Sequence, residues 1–127
     1  IPLIGECYVV EHNEKTKDEV HSKVKRVSRV MSELGADMVK TFYTGEKFSE
    51  VINNTPVPVF TIGAEKLSND LDVLNKAKVS IDAGAIGIIF GRNIFMSENP
   101  HKLIKALNEV INNGIGTEDT YKKYNLK

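Results

Sequence analysis

The segment GADMVKTFYTG, residues 35–45, contains a short apolar strand that begins just after a helix ends. Upstream of it, apolar side chains recur at three- and four-residue steps through residues 17–34, which is the stripe of an amphipathic helix. The stripe consists of Val20, Val24, Val27, Met31 and Leu34. Gly35 is typical of the glycine that follows a helix end. Residues 36–43 are therefore predicted to form a strand fed by a helix.

The same alternation continues in both directions from this segment. Further strands are predicted over residues 2–10, 56–63 and 85–91, and further helices over residues 46–53, 67–83, 100–113 and 117–124. Asn99 and Pro100 suit the cap and the first turn of the long helix near the end. Alternating strands and helices indicate a parallel sheet with right-handed crossovers, and uninterrupted apolar strands indicate a sheet covered on both faces.

Two arrangements of such a sheet are possible: an open doubly wound sheet or a (β/α) barrel. A full barrel needs eight strand–helix units in roughly 250 residues, whereas this chain of 127 residues offers four, or half a barrel. No G-x-G-x-x-G follows the first strand, which disfavours a dinucleotide-binding fold.

Composition excludes several classes of function. The chain carries 17 Lys and Arg against 17 Asp and Glu, so no polyanionic partner is implied, and without a basic run nucleic-acid binding has no support. The longest apolar run, residues 85–90, is too short to span a membrane. Cys7 is the single cysteine, which excludes an internal disulfide. No secretory leader precedes the first strand, so a cytoplasmic protein is expected.

The histidines do not have the spacing of metal ligands, and no metal site is expected. They are His12, His21 and His101. His21 is predicted to lie on the surface of its helix. Cys7 is expected to be a small buried side chain, whereas Glu6 faces the opposite way and could be an acid in a barrel interior.

Lys40 stands out because it lies within an otherwise apolar strand. Alternation places it on one face with Met38 and Phe42, while Val39 and Thr41 face the covering helices. A lysine buried in an apolar space favours the neutral amine, which attacks carbonyl carbons to form a Schiff base. The alternative is a Lys40 that pairs with a carboxylate or reaches water at the strand end.

Glycines follow the last two predicted strands, Gly63 in FTIGAEK and Gly91 in IFGRN. Glycine lets backbone N–H groups approach an anion, and a helix start adds a favourable dipole. In barrels, the loops after the last two strands often bind phosphate. The alternative is that both glycines only turn the chain.

Together, the blocks GADMVKTFYTG, PVPVFTIGAEK and GAIGIIFGRNIF resemble the archaeal-type class I aldolases, within the deoxyribose-phosphate and tagatose-bisphosphate aldolase superfamily. The resemblance covers residues 2–114. It implies that the first block is the sixth strand of a TIM barrel and that Lys40 forms the Schiff base. PLIGECY resembles the fifth strand, whose tyrosine donates a proton, which implies this role for Tyr8.

The resemblance also implies a site for substrate phosphate, made of Gly63, Gly91 and Arg92. Ala64 stands where the family has the second glycine of a pair, and its methyl group could tighten or redirect the phosphate site. The family's first strand supplies an acidic residue that assists proton transfer, and this chain has no counterpart for that strand.

The expected fold is therefore α/β: residues 1–127 form the C-terminal half of one TIM (β/α)8 barrel domain, strands 5–8 with their helices, and residues 117–127 form a tail. Unpaired strand edges predict a partner, either the first half of the barrel or a second copy in a homo-oligomer. The chain alone is expected to be inactive.

The resemblance implies a class I aldolase that is independent of metals and cofactors and acts on a phosphorylated ketose such as fructose 1,6-bisphosphate. Two other activities of the family remain open, aminodideoxyheptulosonate synthesis and thiolysis of a phosphorylated autoinducer dione. An alternative from another class is a non-catalytic half-barrel that binds a phosphosugar or a partner chain.

Overall fold

The computed structural model describes residues 1–10 and 13–127, and over these residues the chain forms four strands and six helices. In chain order they are β1 (Ile4–Cys7), α1 (Lys17–Glu33), β2 (Met38–Thr41), α2 (Phe48–Asn54), β3 (Val59–Ile62), α3 (Asp70–Asp82), β4 (Gly87–Ile89), α4 (Arg92–Phe95), α5 (Pro100–Asn113) and α6 (Thr117–Tyr124). The strands form one parallel sheet in the order β1-β2-β3-β4. The predicted parallel α/β architecture is confirmed.

The helices begin where local capping signals place them. Thr16 caps α1 and exchanges hydrogen bonds with Glu19, so two backbone N–H groups at the helix start find acceptors. Asn99 caps α5, and Pro100 occupies its first turn as predicted. Asn69 caps α3, so this helix begins three residues later than the sequence pattern suggested. His12, one of the three histidines without metal-ligand spacing, is outside the described residues.

The strands are shorter than predicted. β3 was expected over residues 56–63 but begins at Val59, because Pro56 and Pro58 have no N–H to donate to a sheet. β1 and β4 likewise keep only the middle of their predicted spans. The residues at the carboxyl ends of the predicted strands therefore lie in turns rather than in the sheet.

The sheet is covered by helices on one face only. On that face Val39 and Thr41 are fully buried, and Phe48 of α2 and Val24 of α1 complete the core beside them. A second cluster joins α3, α5 and α6, including the buried Leu126. The other face carries mostly exposed or half-exposed side chains, namely Ile4, Glu6, Met38, Lys40, Phe60 and Ile89, whereas Ile62 on this face is buried. The expectation of a sheet covered on both faces is wrong for this chain by itself.

The tail does not cover a sheet edge. α6 packs against α3 and α5, and the carbonyl of Lys127 accepts a bond from the Asp70 N–H (2.8 Å). Among the described strands, β1 and β4 each pair with a neighbour on one side alone. In the same part of the chain, no helix has the length and apolar character needed to cross a membrane.

Replacing Gly87 with alanine should lower the free energy of unfolding by about 1–3 kcal/mol. A Cβ on Gly87 would lie 2.9 Å from Phe60 Cε1 on the neighbouring strand, so the ring must move. Chemical denaturation of the full-length protein measures the effect. In a Phe60→Leu background the added methyl group meets no ring, so the cost of Gly87→Ala should fall. An equal cost in both backgrounds would contradict this explanation.

Candidate active site

Lys40 lies beside a carboxylate. It is the cross-strand neighbour of Glu6 in the β1–β2 register, and Lys40 Nζ lies 3.1 Å from Glu6 Oε2. The Lys40 side chain is 25% exposed and that of Glu6 is 46% exposed. In this chain by itself Lys40 is not enclosed in an apolar space, and the alternative of a carboxylate partner describes its contact. An ion pair this exposed adds little stability.

Tyr8 lies just beyond this pair, at the carboxyl end of β1. Its ring centroid is 4.9 Å from that of Phe42, which follows β2 in the same way. Glu6 and Tyr8 are two residues apart on one chain segment, as are Lys40 and Phe42 on the next. Tyr8 is 46% exposed, and the pairing of Glu6 with Lys40 places it at the same end of the sheet as Lys40.

The two glycines after β3 and β4 differ in what surrounds them. A Cβ on Gly63 would meet Asn93 Nδ2 at 2.9 Å and the Phe90 ring at 3.2 Å, so packing alone requires glycine there. No described atom lies within 4 Å of a Cβ built on Gly91. Arg92 follows it as the exposed first residue of α4. Gly91 and Arg92, rather than Gly63, thus border open space.

Ala64 adopts a left-handed backbone conformation, with φ of 55°. This conformation costs roughly 1–2 kcal/mol for a residue with a Cβ and nothing for glycine. The position is the one at which the sequence resemblance expects a glycine. The turn after β3 therefore keeps the glycine conformation with an alanine in it, which requires contacts elsewhere to hold the turn.

Asn93 provides those contacts, and sequence reasoning did not select it. Its side chain is fully buried. Asn93 Oδ1 accepts from the Leu67 N–H (2.8 Å), and Nδ2 donates to the carbonyls of Gly63 (3.3 Å) and Glu65 (3.0 Å). The sequence offered one sign of its importance: Asn93 lies in the GRNIF block, directly after the Gly91 and Arg92 that are predicted to bind phosphate.

Lys76 of α3 reaches the same loop. Its Nζ donates to the Gly63 carbonyl (2.8 Å), which thus accepts from two side chains. Burial lowers the pKa of the Lys76 ammonium, and the nearby charge of Glu65 acts in the opposite direction. The turn after β3 is therefore held from two sides, by α3 and by the segment after β4.

His21 is not the surface residue that was predicted. Its side chain is buried because this part of α1 packs against the segment after β2, where Thr44 Oγ1 lies 2.8 Å from His21 Nδ1. Nε2 lies 3.6 Å from Glu50 Oε2. Cys7 is buried as expected, and burial raises the pKa of its thiol. Within residues 1–10 and 13–127, no three acidic, histidine or cysteine side chains are grouped as metal ligands.

Curated relatives of known sequence include aldolases and thiolases. The chain is 40% identical over 114 residues to an uncharacterized aldolase of Saccharolobus solfataricus. The matched region covers 87% of this chain and 42% of the relative. It is 36% identical over 97 residues to the 3-hydroxy-5-phosphonooxypentane-2,4-dione thiolase of Yersinia enterocolitica, covering 76% of this chain and 33% of the relative.

Solved structures with a similar fold include an archaeal fructose 1,6-bisphosphate aldolase, with 33% identity and a TM-score of 0.75 over 87% of this chain and 45% of that one. A second is an archaeal fructose-1,6-bisphosphate aldolase whose catalytic lysine is covalently bound to the carbinolamine intermediate of the substrate, with 31% identity, a TM-score of 0.75 and the same coverage.

The chain thus spans less than half the length of these relatives. The sequence profile described as DeoC/LacD family aldolase matches residues 1–97, which include Tyr8, Lys40, Gly63 and the segment from Gly91 to Asn93. The match covers most of the chain and agrees with the parallel α/β fold and with the resemblance noted from the sequence. The chain belongs to the DeoC/LacD aldolase family.

Proposed function

We propose that this chain carries the Schiff-base machinery of a class I aldolase that acts on a phosphorylated ketose such as fructose 1,6-bisphosphate. The observation that carries the proposal is the Lys40 amine at the open face of the sheet, with the Glu6 carboxylate 3.1 Å away. An amine becomes a nucleophile when an adjacent base accepts its proton. Glu6 is placed to be that base.

In the proposed reaction, Glu6 takes a proton from the Lys40 ammonium, and the neutral amine attacks the ketone carbon. The new C–N bond pushes the carbonyl electron pair onto oxygen, which takes a proton from the newly bonded nitrogen and becomes a hydroxyl group. Glu6 then returns a proton to that hydroxyl, which leaves as water as the C=N bond forms. The cationic imine accepts the electron pair of the adjacent C–C bond when it breaks. Tyr8 accepts the hydroxyl proton of the fragment that departs as a carbonyl compound, and it then donates a proton to the carbon of the enamine that remains on Lys40. Water hydrolyses the resulting imine, which frees the second product and the Lys40 amine.

The substrate phosphate is assigned to Gly63, Ala64, Gly91 and Arg92, at the carboxyl ends of β3 and β4. Two observations support this assignment: the space around Gly91 is open, and Asn93 ties the turn after β3 to the turn after β4. Arg92 would contribute charge-assisted hydrogen bonds to phosphate oxygens. The reaction as proposed uses no metal and no cofactor.

The completed fold is proposed to be a TIM barrel in which β1–β4 are the fifth to eighth strands. Three observations support this arrangement. The sheet face that carries Lys40 is open, β1 and β4 are each unpaired at one edge, and the chain covers less than half the length of each relative. The partner is then the first half of the barrel or, in the alternative, a second copy of the chain. Glu6 supplies one acidic group at Lys40 from within this chain, and the first strand would supply another.

A thiolase that cleaves a phosphorylated dione is the second candidate, because relatives named as 3-hydroxy-5-phosphonooxypentane-2,4-dione thiolases match 74–76% of this chain. A substrate panel separates the two. The full-length protein should form triose phosphates from fructose 1,6-bisphosphate and show no coenzyme A-dependent cleavage of the dione. The reverse pattern would establish the thiolase, and turnover of neither compound would overturn both candidates.

Replacing Arg92 with alanine should weaken binding of dihydroxyacetone phosphate by about 1.5–3 kcal/mol, the usual size of a hydrogen bond to a charged group. Titration calorimetry of the full-length protein measures this. The exposed Arg26 of α1 provides a control variant, Arg26→Ala, which should bind like the parent protein. Equal losses in both variants would show that Arg92 acts through overall charge rather than through contact with the ligand.

A further inference from the structure

Residues 63–67, the turn that follows β3, are joined to the segment after β4 by one side chain. Asn93 bonds to the Leu67 N–H at one end of the turn, to the Gly63 carbonyl at the other end and to the Glu65 carbonyl between them. The strained Ala64 lies inside this span. A single amide therefore fixes the path of the whole turn.

Only an asparagine-like side chain can make this set of bonds. The carboxamide offers an acceptor oxygen to the Leu67 N–H and two donor N–H groups to the carbonyls, whereas an aspartate has no donor when ionised. Because Asn93 is fully buried, water cannot replace a lost partner, and an unpaired polar group in such a place is costly. Gly63 lacks a side chain because this amide occupies the space.

Asn93 also fixes the neighbouring turn after β4, since it lies next to Arg92 in the chain and two residues after Gly91. Any movement of Gly91 and Arg92 relative to Gly63 and Ala64 would pull the Asn93 amide from its partners. The two turns thus move as one body. Lys76 adds a second restraint through the Gly63 carbonyl.

We propose that Asn93 is a positioning residue that sets the geometry of the phosphate site by locking the turn after β3 to the turn after β4, with Lys76 as its support. This inference rests on the proposed function, because it requires that Lys40 form an imine and that the two turns bind phosphate. Asn93 would thereby help the site select phosphorylated over unphosphorylated substrates, although its side chain need not touch the substrate.

The test compares two probes in the full-length protein: dihydroxyacetone phosphate and dihydroxyacetone. For each probe, the rate of borohydride-trapped adduct formation is measured at low concentration. In Asn93→Asp, trapping of the phosphorylated probe should slow by about tenfold or more, the equivalent of losing one or two hydrogen bonds, while trapping of dihydroxyacetone stays within about twofold. Lys76→Met should change the ratio in the same direction by a smaller factor.

Asn75→Asp on the exposed side of α3 provides the matched control and should leave the ratio unchanged. A general loss of folding would slow both probes equally, so the ratio isolates positioning from stability. If Asn93→Asp does not fold, Lys76→Met decides. A parental ratio in whichever variant folds overturns the inference and leaves the proposed function intact. If the parent protein traps neither probe, the proposed function and the inference fall together.

Discussion

Replacing Lys40 with methionine in the full-length protein should lower kcat for aldol cleavage by on the order of a thousandfold or more, because the covalent route is lost with its nucleophile. Methionine keeps most of the side-chain volume in a half-buried position. Stability should therefore change little compared with activity. Coupled detection of triose phosphates measures the rate.

Lys105→Met, on the exposed part of α5, serves as the control for loss of a positive charge and should retain parental activity. Loss of activity in Lys40→Met together with a collapse of the unfolding transition would point to a structural role for the Lys40–Glu6 pair. Retained activity in Lys40→Met would remove Lys40 from the mechanism altogether.

Residues 1–127 produced alone should show no measurable aldol cleavage and should not persist as a free monomer. Apolar side chains are exposed near the β1 edge, among them Leu3 (58%) and Ile4 (47%). Others are exposed at and beyond the β4 edge, including Ile89 (36%) and Phe95 (81%). Unpaired edges beside apolar surface favour association, and barrel closure removes both edges at once.

Light scattering gives the mass of the isolated chain, and an aldolase assay gives its activity. Co-production with a chain that carries the proposed first four strands of the barrel should restore a discrete complex and cleavage. A monodisperse single chain with substantial activity would contradict the half-barrel proposal. A stable and active assembly of two copies would instead favour the homo-oligomeric alternative.

Features encoded by local signals were predictable from the sequence. The Asn99 cap of α5 is a signal that acts over a single turn, and the bounds of α6 match those predicted from the sequence. The alternation of β2 correctly separated the buried Val39 and Thr41 from Lys40. The strand ends were less predictable, because prolines and turns set them rather than hydrophobicity.

Features that depend on contacts between distant segments were missed. His21 is buried by a segment that begins about twenty residues later, so its own helix shows no sign of it. The partners of Asn93 lie 26 to 30 residues away. Glu6 and Lys40 could be assigned to a common face, but only the β1–β2 register makes them direct neighbours. The sequence pattern contains no information on register between strands joined by a long helix.

Peptide mapping after borohydride reduction shows which lysine forms the imine. The full-length protein is incubated with dihydroxyacetone phosphate and borohydride, and the modified residue is located by mass spectrometry. We expect one reduced adduct per chain, attached to Lys40 Nζ, and no adduct in Lys40→Met. An adduct on another lysine, or undiminished trapping in Lys40→Met, would contradict this expectation.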